Sequence, residues 1–158
     1  MKKIVALFVC LLAVSLSVRA DDDRPIQFEQ LPSKAQAFVK EHFPQEKVAL
    51  AKMEKDFFDK KYEVIFANSS KVEFLKDGNW KEVDCKYSSV PEAVLPNAIN
   101  QYVKTNYAGQ KVLKIEKEDR GGYEIKLSGG LELGFDKRFQ LIDIDNWKNI
   151  TRKVNWHI

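Results

Sequence analysis

The chain repeats itself, and this constrains its fold more than any other feature, because every copy of a repeat must solve the same burial problem. One copy opens Leu31-Pro32 and continues through Phe38-Val39-Lys40 to Phe43; the other opens Leu95-Pro96 and runs through Tyr102-Val103-Lys104 to Tyr107. Further on, Lys47-Val48 answers Lys111-Val112, and Glu54 answers Glu118. The register slips in the loop from Phe57 to Lys61, which is longer than its counterpart Gly121-Gly122. Tyr62-Glu63-Val64 then resumes against Tyr123-Glu124-Ile125. After a second short gap, Val72-Glu73-Phe74 aligns with Leu131-Glu132-Leu133, Asp77 with Asp136, Trp80 with Phe139, and Val83-Asp84 with Ile142-Asp143. Both gaps fall where turns are expected, which chance similarity would not arrange.

Each copy parses in the same way. Pro32 and Pro96 suit a first helical position, where a missing N–H does no harm. Ala35, Phe38, Val39 and His42 follow helical spacing, as do Ile99, Tyr102 and Val103, and this places Phe38 and Tyr102 in the core. Pro44 and Gly109 help to end the helices. Four strands follow in each copy, near 46–56, 61–67, 70–76 and 79–85, then near 110–119, 122–128, 130–135 and 138–144. Tyr123, Ile125 and Leu127 alternate with Glu124, Lys126 and Ser128, the pattern of a sheet with a helix on one side and solvent on the other. Asp77-Gly78 and Gly129-Gly130 mark hairpin turns. The fold class is therefore α+β, made of two tandem units of one helix and a four-stranded antiparallel sheet.

The first twenty residues have a different job. A basic start at Lys2-Lys3, an apolar run from Ile4 to Val18, and Val18-Arg19-Ala20 before Asp21-Asp22-Asp23 make a secretory leader. The run falls short of the roughly 20 apolar residues that a membrane span needs. Val9 stands before Cys10 where lipidation would want a small residue. The expected division is leader 1–20, first unit 21–88, and second unit with a tail 89–158, with no stable membrane insertion after cleavage. Lys2, Lys3 and Arg19 depart with the leader, which brings the 26 basic residues of the whole chain level with its 23 acidic ones. A neutral mature chain lacks the basic excess of a nucleic-acid binder. Cys85 alone remains after cleavage, so no internal disulfide forms.

The leader, the Leu-Pro helix ending in Phe43-Pro44 or Tyr107-Ala108, the Tyr-Glu-Val/Ile strand and the Asp77-Gly78-Asn79-Trp80 hairpin together resemble the β-lactamase-inhibitor-like, PepSY-like family of exported bacterial proteins. The resemblance covers roughly 29–144. It departs at Asp136-Lys137-Arg138-Phe139, which lacks the hairpin glycine, and at Ala108, which replaces a proline. It implies that the two units join into one curved sheet with helices on one face. It also implies a binding or inhibitory role, and it transfers no catalytic residue.

No chemistry is spelled out in the mature sequence. His42, His157 and Cys85 have no zinc spacing. No nucleophile-base pairing, phosphate loop or dinucleotide fingerprint occurs. Asp143, Asp145 and Asn146 lack the long ligand loop of a calcium site. No cofactor and no metal are expected. Paired carboxylates at Glu63 and Glu124, and at Glu73 and Glu132, could serve acid–base work, but alternation puts them on a solvated face with Lys126. Those five residues become binding candidates. Phe57 and Phe58, at a hairpin tip, are contact candidates too. Trp80 joins them if it points to the open face, which would give a charged surface its apolar anchor; the bland alternative packs it under its own helix.

The function expected from this reading is an exported, non-catalytic module that binds an extracytoplasmic protein and could inhibit an enzyme. The alternative is a periplasmic carrier of a small molecule or lipid in a pocket between helix and sheet. A hydrolase is a distant third.

Overall fold

The computed structural model describes residues 23–55 and 59–146. Residues 1–22, which hold the expected leader, lie outside that range. The elements in chain order are β1 (Arg24–Ile26), α1 (Ser33–His42), β2 (Val48–Lys55), β3 (Lys60–Phe66), β4 (Lys71–Leu75), β5 (Trp80–Asp84), α2 (Asn97–Asn106), β6 (Val112–Lys117), β7 (Tyr123–Leu127), β8 (Leu131–Phe135) and β9 (Leu141–Asn146). A short 3-10 turn precedes each helix, at Phe28–Gln30 and Glu92–Val94. The nine strands form one antiparallel, open, curved sheet whose spatial order equals the chain order.

Helix starts are set by proline. Each helix begins one residue after Pro32 or Pro96, so both prolines sit at the N-cap rather than at the expected first helical position. Their carbonyls accept the first helical bonds, from the N–H groups of Gln36 and Asn100. Helix ends are closed by N–H groups of Phe43 and Tyr107, which donate to the carbonyls of Val39 and Val103.

The core lies between the helices and one face of the sheet. Strand alternation turns Tyr62, Val64 and Phe66 of β3, Val72 and Phe74 of β4, Val83 of β5, Ile115 of β6, Ile125 and Leu127 of β7, and Leu133 and Phe135 of β8 to that side, all buried. The helices meet them through Ala35 and Val39, and through Ile99 and Val103, at i and i+4. Phe43 stacks on Phe66 with ring centroids 4.8 Å apart. Burying each large apolar side chain is worth about 1.5–3 kcal/mol. Phe38 and Tyr102 differ from expectation: both are half-buried. The smaller Ala35 and Ile99 occupy the fully buried line of each helix. Phe38 and Tyr102 cover the flank instead, edge-on to Phe74 and Phe135 at 5.7 and 5.5 Å.

The sheet is continuous across the middle of the chain. β5 pairs with β6 through Glu82 with Glu116, Val83 with Ile115 and Asp84 with Lys114. The N–H of Cys85 donates to the carbonyl of Leu113, and that of Val90 to Val112, which extends the seam. Register shifts occur in β2 between Val48 and Leu50, in β6 between Val112 and Lys114, at Glu73/Phe74 and at Gly134/Phe135. Bulges of this kind add local twist and bend a sheet.

Two details correct the sequence alignment of the two halves. In the β4–β5 hairpin the Gly78 N–H donates to Leu75, and Leu75 donates to Asn79; in the β8–β9 hairpin Phe139 donates to Asp136, and Asp136 to Gln140. Phe139 therefore stands where Gly78 stands, not where Trp80 does, and the second gap in the alignment does not exist. Both residues adopt positive φ, 81° at Gly78 and 61° at Phe139, so an aromatic residue carries the left-handed turn that glycine usually takes. The other detail is β1, an additional strand against β2 that three residues around Pro25 were too short to announce.

Candidate functional site

The face turned away from the helices is a grid of charge. Cross-strand pairing runs Lys52–Glu63–Glu73–Glu82–Glu116–Glu124 over six neighbouring strands, and then reaches Gly134 and Asp143. The adjoining row runs Leu50–Ile65–Lys71–Asp84–Lys114–Lys126–Glu132–Asp145. Like charges directly opposite each other destabilise a sheet. Here glutamate faces glutamate from β3 to β7.

Lysines reaching between the rows make that arrangement tolerable. Lys71 Nζ lies 3.8, 3.0 and 3.3 Å from Glu63, Glu73 and Glu82. Lys114 Nζ lies 2.9 Å from both Glu82 and Glu116. Lys52 bridges Asp23, Glu54 and Glu63 at 3.0, 2.7 and 3.4 Å. Lys81 meets Asp119 at 2.8 Å and donates to the carbonyl of Lys117. Glu63 and Glu82 are only 8% exposed, so these are partly desolvated pairs. Burial opposes ionisation of Glu82, yet the hydrogen bond and charge of Lys114, with those of Lys71, hold its carboxyl below the usual range. Burial likewise opposes the charge on Lys71 and Lys114, and their carboxylate partners outweigh it, raising both amines. Lys52 is raised too, chiefly by its hydrogen bond to Glu54.

The grid ends differently at Glu124. Burial, then the neighbouring charge of Glu132, pushes its carboxyl up. Among the described residues no ion pair reaches it, while Lys126 is drawn to Glu132 at 2.8 Å. Glu124, Glu132, Asp143 and Asp145 thus give the β7–β9 end of the face an acidic character that the centre, threaded with lysine, does not have.

Glu63, Glu73, Glu124, Lys126 and Glu132 are all brought to this one face, as strand alternation implies. Lys52, Lys71, Lys114, Glu82 and Glu116 complete it, and the sequence reading missed them. The alternation of Lys114 and Glu116 around Ile115 was available; the register that sets Glu82 against Glu116 was not.

Trp80 is not on this face. The bulge at Glu73/Phe74 sets it opposite Phe74, on the helix side. It is half-buried there, 6.1 Å from Phe38 and 6.5 Å from Tyr123, with Lys117 Nζ 3.8 Å above its ring. The bulge lets Trp80 and Val83, three apart, share one side. Trp80 therefore cannot anchor a partner on the open face. It borders a surface hollow of about 290 Å³ with Phe38, Gly78, Asn79 and Lys34. Phe57 and Phe58 lie outside the described residues. Cys85 is buried, and burial raises its thiol despite hydrogen bonds with Ser70 and Ser88. Among the described residues no group of three or more His, Cys, Asp or Glu side chains is arranged to hold a metal ion. No helix among them is long and apolar enough to cross a membrane.

A family model described as "Putative beta-lactamase-inhibitor-like, PepSY-like" matches residues 60–143. Three solved structures are similar over most of the chain. A "putative calcium-regulated periplasmic protein" from Bacteroides thetaiotaomicron is 62% identical, with 80% of this chain and 99% of that one covered and a TM-score of 0.78. A "putative periplasmic protein" from Bacteroides vulgatus is 61% identical over 80% and 99% of the two chains, with a TM-score of 0.76. Another from the same species, described as of unknown function, is 40% identical over 78% and 98%, with a TM-score of 0.73. No curated protein matches. The present chain, like these neighbours, is a periplasmic or secreted protein.

Proposed function

Because this chain belongs to the beta-lactamase-inhibitor-like, PepSY-like family, we propose that it is an exported, non-catalytic module that recognises an extracytoplasmic protein through the open face of its sheet. The observation that carries this reading is the row of glutamates facing one another from β3 to β7. A face with no partner gains nothing from opposing like charges on neighbouring strands, whereas alternating ions on a rigid surface set partner choice and association rate. Glu63, Glu73, Glu124, Lys126 and Glu132 are the contact residues in this proposal. Phe57 and Phe58, which fall in the sequence between β2 and β3, are proposed to add an apolar contact.

Export by a leader over 1–20 belongs to the same reading, as does descent of the two halves, 21–88 and 89–158, from one duplicated unit. Inhibition of an enzyme is the form of recognition that the family description suggests. The carrier alternative has less support, because Ala35, Val39, Ile99 and Val103 fill the space between helices and sheet.

The test is a pull-down from native periplasmic extract at low and high salt. Wild type is compared with Glu73→Lys/Glu124→Lys, and separately with Phe57→Ala/Phe58→Ala. A salt-sensitive partner held by wild type and lost by the charge variant supports the open face; identical eluates from all three count against it. Native mass spectrometry of freshly purified protein tests the carrier reading, since a retained small molecule would favour it. Turnover in a screen of peptide, ester and glycoside substrates would overturn the non-catalytic reading. The calcium-regulated description of the B. thetaiotaomicron relative suggests one further measurement, calorimetric titration with Ca²⁺. Heat saturating at one equivalent, and lost in Glu132→Gln/Asp145→Asn, would add a metal to the open face.

A further inference from the structure

One end of the helix side carries a row of aromatic rings that the helices cover only in part. Phe38 of α1, Trp80 of β5, Tyr123 of β7 and Phe139 in the β8–β9 turn follow one another with ring centroids 6.1, 6.5 and 5.7 Å apart. The first three are half-buried, and Phe139 is 39% exposed. Phe139 is also badly suited to its place in the backbone. A bulky side chain at positive φ is an outlier, and such outliers cluster at binding and active sites. Its counterpart Gly78 makes the same turn without that conflict.

A cation stands in the middle of this row. Lys117 pairs with Tyr123 across β6 and β7, which puts it on the helix side, and its Nζ lies 3.8 Å from the centre of the Trp80 ring. Elsewhere on the sheet Lys52, Lys71, Lys81, Lys114 and Lys126 each meet a carboxylate at 3.0 Å or less. Among the described residues Lys117 is in ion-pair contact with none. Burial lowers its amine, with the charge of Asp77 working the other way. Asp77 is itself engaged by the N–H and the side-chain amide of Asn79. On the α1 side of Trp80 the hollow of about 290 Å³ is rimmed by Lys34 and Glu41.

We propose that this row docks an extended, acidic segment of a partner protein, which lays aromatic side chains on the rings and a carboxylate on Lys117. Spacing and charge both select this occupant. Alternate side chains of an extended chain point the same way about 6.5 Å apart, close to the step from ring to ring. A carboxylate between two such side chains gives the ammonium the partner that the fold withholds, and a charge-assisted hydrogen bond there adds to the cation–ring contact. A second copy of this chain fits less well, because a symmetric pair offering the same row would set Lys117 against its own equivalent. The row lies on the opposite side of the sheet from the glutamates, so it stands or falls separately from the open face.

A blocked pentapeptide with phenylalanine at its first and fifth positions, aspartate at the third and serine between them carries this chemistry. Its binding to the full mature chain is followed by fluorescence anisotropy of a dye on the peptide. Wild type should bind it. Asparagine in place of the aspartate, or Lys117→Met in the protein, should weaken binding about tenfold or more. Phe139→Gly removes a ring while relaxing the turn, so it should melt no lower than wild type and bind about tenfold more weakly. No binding by wild type, equal affinity for the aspartate and asparagine peptides, or unchanged affinity in Phe139→Gly overturns the proposal. A dimeric mass in light scattering that Phe139→Gly abolishes also overturns it, since a second copy would then be the occupant.

Discussion

Replacing Lys114 by methionine probes the charge grid at its most loaded point. Methionine keeps much of the stem's packing and removes only the ammonium. That group sits 2.9 Å from Glu82 and 2.9 Å from Glu116, two carboxylates directly opposite each other on β5 and β6. Side-chain exposures of 22% for Lys114, 11% for Glu82 and 26% for Glu116 place the site between two regimes. Exposed pairs contribute about 0–1 kcal/mol, and breaking a buried pair costs about 3–5 kcal/mol. Lys71 remains 3.3 Å from Glu82 and leaves it partly answered. The expected loss at neutral pH is about 2–3 kcal/mol, which moves a urea midpoint down by roughly 1–2 M for a chain of this size. The sign of the pH dependence follows from Glu82. Its carboxyl is held below the ordinary range in the folded protein, so its contribution is present above that range and disappears as pH falls through the lowered value. Lys114, raised when folded, contributes fully at all pH values below the ordinary amine range. The difference between wild type and variant should therefore shrink as pH falls and the Glu82 carboxyl, held below its ordinary range, takes up its proton. Urea melts followed by circular dichroism at pH 7 and pH 3 would measure it. An equal loss at both pH values, or a loss under about 0.5 kcal/mol at pH 7, would show that the lysines do not hold the glutamate row together.

Other expectations follow from packing. Phe74→Ala, at a fully buried position, should cost about 3–5 kcal/mol in the same urea melts, and half-buried Phe38→Ala about 1.5–3 kcal/mol. The order of those two losses checks which helix and sheet residues form the core. Gly78→Ala should destabilise by about 2 kcal/mol or more by thermal melting, because a Cβ there would lie 2.7 Å from Pro32 Cβ on a backbone with φ of 81°. Cys85 should resist a thiol reagent in the native protein and react fully in urea; rapid native labelling would contradict its burial.

What could be read in the sequence was whatever depends on neighbours along the chain. The helices, the strands and the core face of β7 all follow from spacing, and so does the placement of Glu63, Glu73, Glu124, Lys126 and Glu132 on the side away from the helices. What escaped depends on neighbours across the sheet. Strand register turns scattered glutamates into a row, and no local pattern specifies it. The bulge at Glu73/Phe74 reverses the parity that would have sent Trp80 outward. Phe139 concealed its turn because positive φ is ordinarily announced by glycine or asparagine. Phe38 and Tyr102 fit the helical stripe by spacing, but the line of closest approach belongs to Ala35 and Ile99, whose shape lets helix and sheet meet.

The strand order carries a kinetic consequence. Every strand pairs with the one before it in the chain, and even β5 and β6 are separated only by a 3-10 turn and α2. Loop closure is thus inexpensive at each step, and sheets built from such local pairings fold faster than those that join distant segments. A chain delivered from one end could add strands in the order they emerge, each hairpin templating the next. Distant partners need not be awaited, and fewer unpaired edges stay open to aggregation meanwhile.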